Sequence, residues 1–239
     1  MKKFRKRNLA WIVPVSVIAL IVLAFFIYTG HYYHADAEAL SALESDDSVT
    51  VIKTDFGWMF DGPSDSDALI FYQGAQVEET AYAPLLKQIA SAGIDVLLVS
   101  MPFRLAFFGA DKASELIPKY DYDAWYIGGH SLGGAMAAVY AAEHSGQLSG
   151  LILLAAYPTK KLDDSLTVIS VYGSEDGVLN REKLSEGNQY MPKDAVTYVI
   201  NGGNHAQFGN YGKQARDGEA LVSAEEQQRE TVALIMQNK

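Results

Sequence analysis

Residues 124–143 read AWYIGGHSLGGAMAAVYAAE, and this stretch decides the fold. An apolar, β-prone run, AWYIG, passes within a few residues into a run of small residues that favour a helix. The junction Gly129-His130-Ser131-Leu132-Gly133 has the form G-x-S-x-G, which places a serine on a sharp turn between a strand and a helix. A Cβ atom at either outer position of such a turn would meet neighbouring backbone, which explains the two glycines. The stretch therefore predicts a turn that presents the Ser131 hydroxyl above the end of a sheet.

The segments on either side of this turn alternate between strand and helix patterns. Short apolar runs of the kind found in doubly covered strands alternate with segments of helical period. Because parallel strands are joined by right-handed helical crossovers, this alternation predicts an α/β fold, a mostly parallel sheet flanked by helices that begins with one antiparallel pair. Strands are predicted at residues 48–54, 57–60, 68–72, 95–100, 124–128, 151–155, 167–172 and 195–200, and helices at residues 82–89, 132–143, 180–186 and 223–236.

The serine at the turn needs an imidazole base, and the chain has five histidines. His31 and His34 lie beside an apolar N-terminal segment, His130 is inside the turn, and His144 ends a predicted helix. His205 remains, in a glycine-rich loop after the last predicted strand, where a side chain can reach back over the edge of the sheet. We therefore predict His205 as the base.

A carboxylate that orients the base is predicted at Asp176. It follows the strand TVISVY and gives the chain order Ser, Asp, His that is typical of this fold. The alternatives are less well placed, since Asp163 and Asp164 precede that strand and Glu175 is one residue away. At the turn itself, the N-terminus of the following helix points at the same spot, so the Leu132 N–H is predicted to bind an oxyanion.

These motifs carry a resemblance to a known family. Together with FYQGAQVEETAYAPL (71–85), MPFRLAFF (101–108) and GGNHAQFGNYG (202–212), they resemble the small α/β-hydrolases of the alpha/beta hydrolase fold-5 family, relatives of dienelactone hydrolases and carboxylesterases. The similarity covers roughly residues 50–238. It implies the α/β-hydrolase fold with Ser131 as nucleophile, Asp176 as acid and His205 as base.

The resemblance also implies a second oxyanion donor in the loop after the strand ALIFY. Many relatives carry His-Gly there, whereas this chain has Gln73-Gly74. The expected donor is therefore the Ala75 N–H, with the Gln76 N–H as the alternative. Dienelactone hydrolases proper use a cysteine nucleophile, and this chain has no cysteine, so that particular activity is not expected.

The predicted chemistry is acyl transfer to and from a serine, which needs no cofactor. The substrate is expected to be a small molecule with an ester or related acyl bond. Two alternatives stay open. An acyltransferase would use the same three residues with an alcohol in place of water, and an inactive membrane-tethered binding domain would use none of them.

The substrate site is predicted beside the loop MPFRLAFF, because open α/β sheets bind ligands at the carboxyl edge of the strands. Phe103 and Arg104 of this loop, with Gln76 and Phe208, are the expected contact residues, although ordinary packing of Arg104 is an alternative. Only residues 156–166 connect the sixth and seventh predicted strands, which is too short for a helical lid. An open site of this kind predicts short acyl groups, roughly acetyl to hexanoyl, without activation at a lipid interface.

No metal site is expected. Asp65 and Asp67 in the sequence SDSD have the spacing of metal ligands, but a solvated loop is the better interpretation. The absence of cysteine also excludes disulfides, thiolate catalysis and zinc–cysteine sites.

The N-terminal segment is predicted to be a transmembrane helix. Residues 9–28 carry no charge and are long enough to span roughly 30 Å of hydrocarbon. We expect a basic cytoplasmic N-terminus at 1–8, a membrane anchor at 9–29, a linker at 30–48, and the hydrolase domain at 49–239 on the extracellular side. The alternative is a signal peptide, cleaved after Ala35-Asp36-Ala37 to release a secreted protein.

The charge of the chain excludes one class of partner. Five of the 19 basic residues lie within the first seven positions, which leaves 14 basic against 29 acidic residues in the rest of the chain. A domain of that charge repels the phosphate backbone, so nucleic-acid binding is not expected.

Overall fold

The computed structural model describes residues 2–64 and 66–239, with no description of the side chains of residues 2–10. The chain forms two units, one that ends at Tyr32 and one from Tyr33 to Lys239. The first unit is helix α1, Lys2–Gly30, and its segment Trp11–Gly30 is long and apolar enough to cross a membrane. Almost all described side chains of this segment are exposed. The segment is compatible with a membrane anchor or a signal sequence.

The second unit is built on one sheet of eight strands in the order β1-β2-β4-β3-β5-β6-β7-β8. The β1–β2 and β2–β4 pairs are antiparallel, and all other pairs are parallel. The strands are β1 Thr50–Thr54, β2 Gly57–Asp61, β3 Asp67–Tyr72, β4 Asp95–Val99, β5 Ala124–His130, β6 Gly150–Leu154, β7 Thr167–Gly173 and β8 Val196–Ile200. The predicted fold class, a mostly parallel sheet flanked by helices, is confirmed, although the sheet has two antiparallel pairings where the sequence predicted one.

Helices cover both faces of the sheet. They are α2 Ala37–Ser41, α3 Ala83–Ser91, α4 Lys112–Leu116, α5 Leu132–Glu143, α6 Arg181–Gly187 and α7 Ala224–Asn238. Alternate residues of β3 belong to opposite apolar clusters: Leu69 packs with side chains of α3 and α7, and Ile70 packs with side chains of α4 and α5. This alternation is the reason that the central strands are apolar at every position.

Residues 33–48, which the sequence predicts as part of a linker, are packed onto the second unit. The Asp36 carboxylate accepts a 2.9 Å hydrogen bond from the Ala39 N–H and so caps α2. The Asp36 N–H donates to the Asn210 carbonyl oxygen at 2.9 Å, and Ala39 is fully buried. The sequence is polar enough to suggest a linker, but a capped turn of helix with one buried face satisfies its backbone instead.

Candidate active site

Ser131 lies at the turn between β5 and α5, in a backbone conformation that few residues adopt. Its φ and ψ are 54° and −122°, and its N–H donates to the Leu154 carbonyl oxygen at 2.9 Å. A Cβ atom on Gly133 would lie 2.1 Å from the Tyr72 carbonyl oxygen, and one on Gly129 would lie 2.5 Å from the same atom. The close approach of β3 therefore requires both glycines. The turn holds the serine in a strained conformation at the carboxyl edge of the sheet.

Asp176 and His205 form a buried pair in the loops that follow β7 and β8. Oδ2 of Asp176 lies 2.8 Å from Nδ1 of His205, and neither side chain is more than 1% exposed. The second oxygen, Oδ1, accepts from the N–H groups of Val178 at 2.9 Å and Leu179 at 2.7 Å. Both oxygens of this carboxylate therefore accept hydrogen bonds, and the bond to Nδ1 fixes the tautomer of the imidazole with its proton on Nδ1.

The other ring nitrogen of His205, Nε2, is buried and has no hydrogen-bond partner among residues 2–64 and 66–239. With the proton on Nδ1, this nitrogen carries a lone pair that can accept a proton. His205 and Ser131 line the same cavity, which has a volume of about 340 Å³. The structure therefore brings together the three side chains predicted from the sequence as nucleophile, acid and base.

The cavity beside Ser131 is walled by the first turn of α5 and by the loops after β6 and β7. Its lining contains no charged side chain other than His205, whose charge depends on protonation. Apart from Ser131 and His205, the lining side chains are small or apolar except for three polar ones, Tyr157, Thr159 and Asn180. Besides Ser131 and His205, the lining residues are Leu132, Ala135, Ala155, Ala156, Tyr157, Thr159, Val178, Leu179 and Asn180. Such a wall suits an uncharged, apolar group of a substrate.

The loop after β3, residues 73–77, lies next to the turn that carries Ser131. The side chain of Gln73 is fully buried; its Nε2 donates to the Val77 carbonyl oxygen at 3.0 Å and its Oε1 accepts from the Met101 N–H at 3.3 Å. The Gln73 side chain therefore bonds to the last residue of this loop and also joins the loop to Met101. The glutamine that replaces the histidine of many relatives has a structural role here.

The hydrogen bonds of the N–H groups in this loop distinguish between the two candidates for the second oxyanion donor, Ala75 and Gln76. The Gln76 N–H donates to the Arg104 carbonyl oxygen at 3.0 Å, so it is already occupied. The Gly74 N–H donates to the Tyr82 hydroxyl at 3.0 Å. Within the described part of the chain, the N–H groups of Ala75 and Leu132 have no acceptor. The alternative donor considered from the sequence, Gln76, is therefore excluded in this conformation, and Ala75 is left.

The predicted substrate contacts differ from the wall that the structure shows. Phe208 is fully buried, because a 3₁₀ turn, Ala206–Phe208, directs its side chain into the core. The centroid of its ring lies 5.6 Å from that of His130. Gln76, Phe103 and Arg104 belong to the β3 and β4 side, and the cavity described above does not include them. The substrate contacts predicted at Gln76, Phe103 and Arg104 therefore stay predictions.

His130, which the sequence places inside the turn, packs beside the predicted base. Its Nδ1 lies 2.8 Å from the Tyr82 hydroxyl, which also accepts from the Gly74 N–H. The hydroxyl proton of Tyr82 points to His130 when the ring carries its own proton on Nε2. The ring centroid of His130 lies 4.4 Å from that of His205. Burial, and then the neighbouring His205, hold the pKa of His130 well below its ordinary value of 6.5. His130 is therefore a neutral ring packed beside the predicted base.

Asp217 is a residue with no sequence signal, since it resembles any acid in a polar loop. Its Oδ1 accepts from the N–H groups of Gly177 at 3.1 Å and His205 at 3.2 Å, and its Oδ2 accepts from the Ala206 N–H at 2.8 Å. One carboxylate thus ties the Asp176 loop to the His205 loop. Only the folded chain brings these donors together.

Only one member of the acidic pair considered as a metal site lies within the described residues. Asp65 lies outside the described residues, and Asp67 forms an ion pair with Lys239. Elsewhere in the part that the structure describes, no group of three or more histidine, aspartate and glutamate side chains could hold a metal ion.

The eight-stranded sheet and the turn that carries Ser131 define an α/β-hydrolase fold. The sequence model of the alpha/beta hydrolase family matches residues 68–229, more than half of the chain, so the chain belongs to this family. The predicted fold-5 resemblance is confirmed. No curated protein matches the chain.

Solved structures of hydrolases share the fold at low sequence identity. A CIB-like hydrolase from Thermoplasma acidophilum is 14% identical with a TM-score of 0.58, over 80% of this chain and all of that one. Est1E from Butyrivibrio proteoclasticus is 15% identical with a TM-score of 0.53, over 80% and 99% of the two chains. A bacterial membrane phospholipase A is 13% identical with a TM-score of 0.55, over 98% and 100%. At these identities the similarity shows the fold alone.

Proposed function

We propose that the protein is a membrane-anchored serine hydrolase that cleaves a carboxylic ester through Ser131, His205 and Asp176. The observation that carries the proposal is the buried Asp176–His205 pair, whose unpartnered Nε2 shares a cavity with a serine on a strained turn. Membership of the alpha/beta hydrolase family supports hydrolase activity, and the esterase and phospholipase among the similar structures support an ester as the bond.

The first step forms an acyl-enzyme. Nε2 of His205 takes the proton of the Ser131 hydroxyl while Oγ attacks the carbonyl carbon and the carbonyl oxygen becomes an oxyanion. The N–H groups of Leu132 and Ala75 bind that oxyanion. Nε2–H then gives its proton to the leaving alkoxide oxygen as the C–O bond breaks, and an alcohol departs.

The second step restores the serine. Nε2 of His205 takes a proton from water, whose oxygen attacks the acyl carbon, and the second oxyanion uses the same two N–H groups. Collapse breaks the bond to Ser131 Oγ, which recovers its proton from His205, and a carboxylic acid leaves. Asp176 stays ionised throughout and stabilises the imidazolium that forms in each step.

The cavity wall supports an ester with a small, uncharged acyl group. Ala135, Ala155 and Ala156 leave space next to Ser131, and Val178 and Leu179 make the opposite wall apolar. A volume of about 340 Å³ is near the lower end of the range for small-molecule sites. Esters from acetyl to hexanoyl are therefore the expected substrates.

Helix α1 is proposed to remain attached as the anchor. The sites that a signal peptidase would use, Ala35 to Ala37, lie beside folded structure: Tyr33 N–H donates to the Gln76 carbonyl oxygen at 2.7 Å and Asp36 caps α2. Cleavage there would remove both residues from the domain. The five basic residues before the span favour a cytoplasmic N-terminus and an extracellular domain.

Two measurements on cells test this topology. The intact mass of the purified protein is expected to include residues 9–29, and a mature chain that begins at Glu38 would show a cleaved signal peptide instead. External protease on wall-stripped cells is expected to digest the domain and leave the first residues protected. Protection of the domain until lysis would show the opposite orientation.

Competitive labelling with a fluorophosphonate probe tests the chemistry. The folded protein is expected to be labelled, and short esters are expected to slow the labelling. A screen of ester, thioester, lactone and amide substrates then defines the bond, and product analysis with an added alcohol separates hydrolysis from acyl transfer. A folded protein that is not labelled would contradict the proposal and favour a binding domain.

A further inference from the structure

The loop after β4 carries three phenylalanines and lies against residues 73–77, which carry the Ala75 N–H and which we call the oxyanion loop. We call residues 101–109, MPFRLAFFG, the aromatic loop. The Arg104 carbonyl oxygen accepts from the Gln76 N–H at 3.0 Å, and the Met101 N–H donates to Gln73 Oε1 at 3.3 Å. The aromatic loop is therefore fixed to the loop that carries the Ala75 N–H.

The rings of this loop face outward. Phe103, Phe107 and Phe108 are 44%, 68% and 49% exposed. Phe108 packs edge-on against the other two, with ring centroids 5.8 Å from Phe103 and 5.6 Å from Phe107. Phe103 and Arg104 have positive φ values of 54° and 57°, which non-glycine residues adopt only at a cost in energy. Contiguous exposed apolar side chains can mark a surface that binds a membrane or another protein.

Tyr33, the first residue of the second unit, is bonded to the segment that holds the aromatic loop. The Gln76 carbonyl oxygen accepts from the Tyr33 N–H at 2.7 Å, and the Glu78 N–H donates to the Tyr33 carbonyl oxygen at 2.9 Å. Gln76 is thus bonded through its backbone to both Tyr33 and Arg104. Only two residues separate Tyr33 from Gly30, the last residue of α1, and three peptide steps reach at most about 11 Å.

We propose that the aromatic loop contacts the lipid bilayer in which the chain is anchored, with its rings at the boundary between headgroups and acyl chains. The inference rests on the anchor of the proposed function, because the short connection then keeps the domain edge around Tyr33 and Gln76 close to the membrane surface. The contact is made by apolar side chains, because Arg104 is the one charged residue of the loop. Residues 8–239 together carry 14 basic and 29 acidic residues, so anionic headgroups repel this part of the chain.

The contact brings one side of the proposed catalytic site, the loop that carries the Ala75 N–H, close to the membrane. With the aromatic loop in the lipid boundary, the oxyanion loop behind it lies next to the membrane, and an ester that resides in the bilayer can reach Ser131 without crossing bulk water. The size of the acyl group is a separate property, which the cavity beside Ser131 sets.

The chain has no cysteine, so a single introduced thiol can be labelled uniquely in the full-length protein. Phe107→Cys, and Phe108→Cys as a second site, are labelled with an environment-sensitive fluorophore and reconstituted in phosphatidylcholine vesicles, with and without acyl-chain spin-labelled lipid. Leu20→Cys in the span is the positive control. Asp123→Cys, exposed at the amino edge of the sheet just before β5, is the surface control.

The proposal predicts emission at shorter wavelength and quenching by spin-labelled lipid at positions 107 and 108, as at position 20, and neither effect at position 123. Quenching at 20 alone would overturn the lipid contact. A wavelength shift at 107 without lipid quenching would show a protein partner and would also overturn it. No quenching at 20 would remove the anchor and the contact together, while fluorophosphonate labelling of the unsubstituted chain in the same vesicles reports on the hydrolase independently.

Discussion

The rings of His130 and His205 lie 4.4 Å apart, centroid to centroid, and both are buried. Each is held by its Nδ1: His130 is hydrogen-bonded there to the Tyr82 hydroxyl, and His205 donates there to Asp176. In the proposed mechanism His205 becomes positively charged in each step. A second charge on His130 would oppose that change, so the low pKa of His130 favours proton transfer to His205.

The low pKa of His130 has a consequence for stability. The unfolded chain binds a proton at this histidine below about pH 6.5, whereas the folded protein does not, so the free energy of unfolding falls as the pH decreases from that value, by up to about 1.4 kcal/mol per pH unit. In His130→Asn this contribution is absent. Denaturant unfolding of both full-length proteins in detergent, at pH 7.5 and about pH 5.5, measures it. If both proteins lost the same free energy of unfolding between the two pH values, the low pKa of His130 would be contradicted.

Asp176→Asn is expected to leave the protein folded and to lower kcat by about 10³- to 10⁴-fold, because an amide can no longer fix the tautomer of His205. Asp163→Asn and Asp164→Asn are matched controls, since both carboxylates are exposed and contact only nearby residues. Steady-state hydrolysis of a short ester, with circular dichroism as the check on folding, makes the comparison. A strong effect at 163 or 164 together with a mild one at 176 would reverse the assignment.

Asp217→Asn removes one of the acceptors that join the Asp176 and His205 loops and presents an amide to the N–H groups of His205 and Ala206. Misplacement of the base by a fraction of an ångström is expected to lower kcat by about 10- to 100-fold. KM is expected to change little, because Asp217 is absent from the cavity wall. Glu219→Gln, two residues away and paired with exposed Lys213, is the control. An increase in KM with unchanged kcat would assign Asp217 to substrate binding instead.

The cavity wall predicts the preferred acyl length. Ala135→Leu adds three carbon atoms to the space beside Ser131, and kcat/KM for hexanoyl esters is expected to fall by about tenfold or more relative to acetyl esters. Val139→Leu, one helical turn further along α5 and not part of the wall, is expected to leave the ratio unchanged. The chain-length profile is measured below the micellar threshold. A maximum at long acyl chains in the unsubstituted protein would contradict the small cavity.

The central part of the fold could be predicted from the sequence because the decisive signals are local. The turn at Ser131 depends on glycines that only a close backbone approach requires, and the buried strands are apolar on both faces. Ser131, Asp176 and His205 could be assigned in this chain order because each lies just after a predicted strand, β5, β7 and β8. Local patterns thus fix which residues reach the carboxyl edge of the sheet.

The remaining features depend on contacts between distant segments, which no local pattern records. Asp217 has a role only because three N–H groups from two other loops meet at its carboxylate, and Phe208 is buried because its loop turns inward against His130. Helix α2 was missed since five residues carry too little periodicity for detection. The sequence also does not say which loops enclose Ser131, so the cavity lined by the loops after β6 and β7 was not predicted, and the contacts expected at the loop after β4 stay predictions.

Ser131→Ala tests the account most directly, through the rate of fluorophosphonate labelling and the turnover of a short ester in one preparation. Ser91→Ala, at an exposed position where α3 ends, is the control. If Ser131 is the nucleophile, the variant loses labelling and its turnover falls by about 10³-fold or more, because nucleophile and base act as a unit, while the control keeps both. A folded Ser131→Ala protein that is still labelled, or that still hydrolyses the ester at the original rate, would contradict the account.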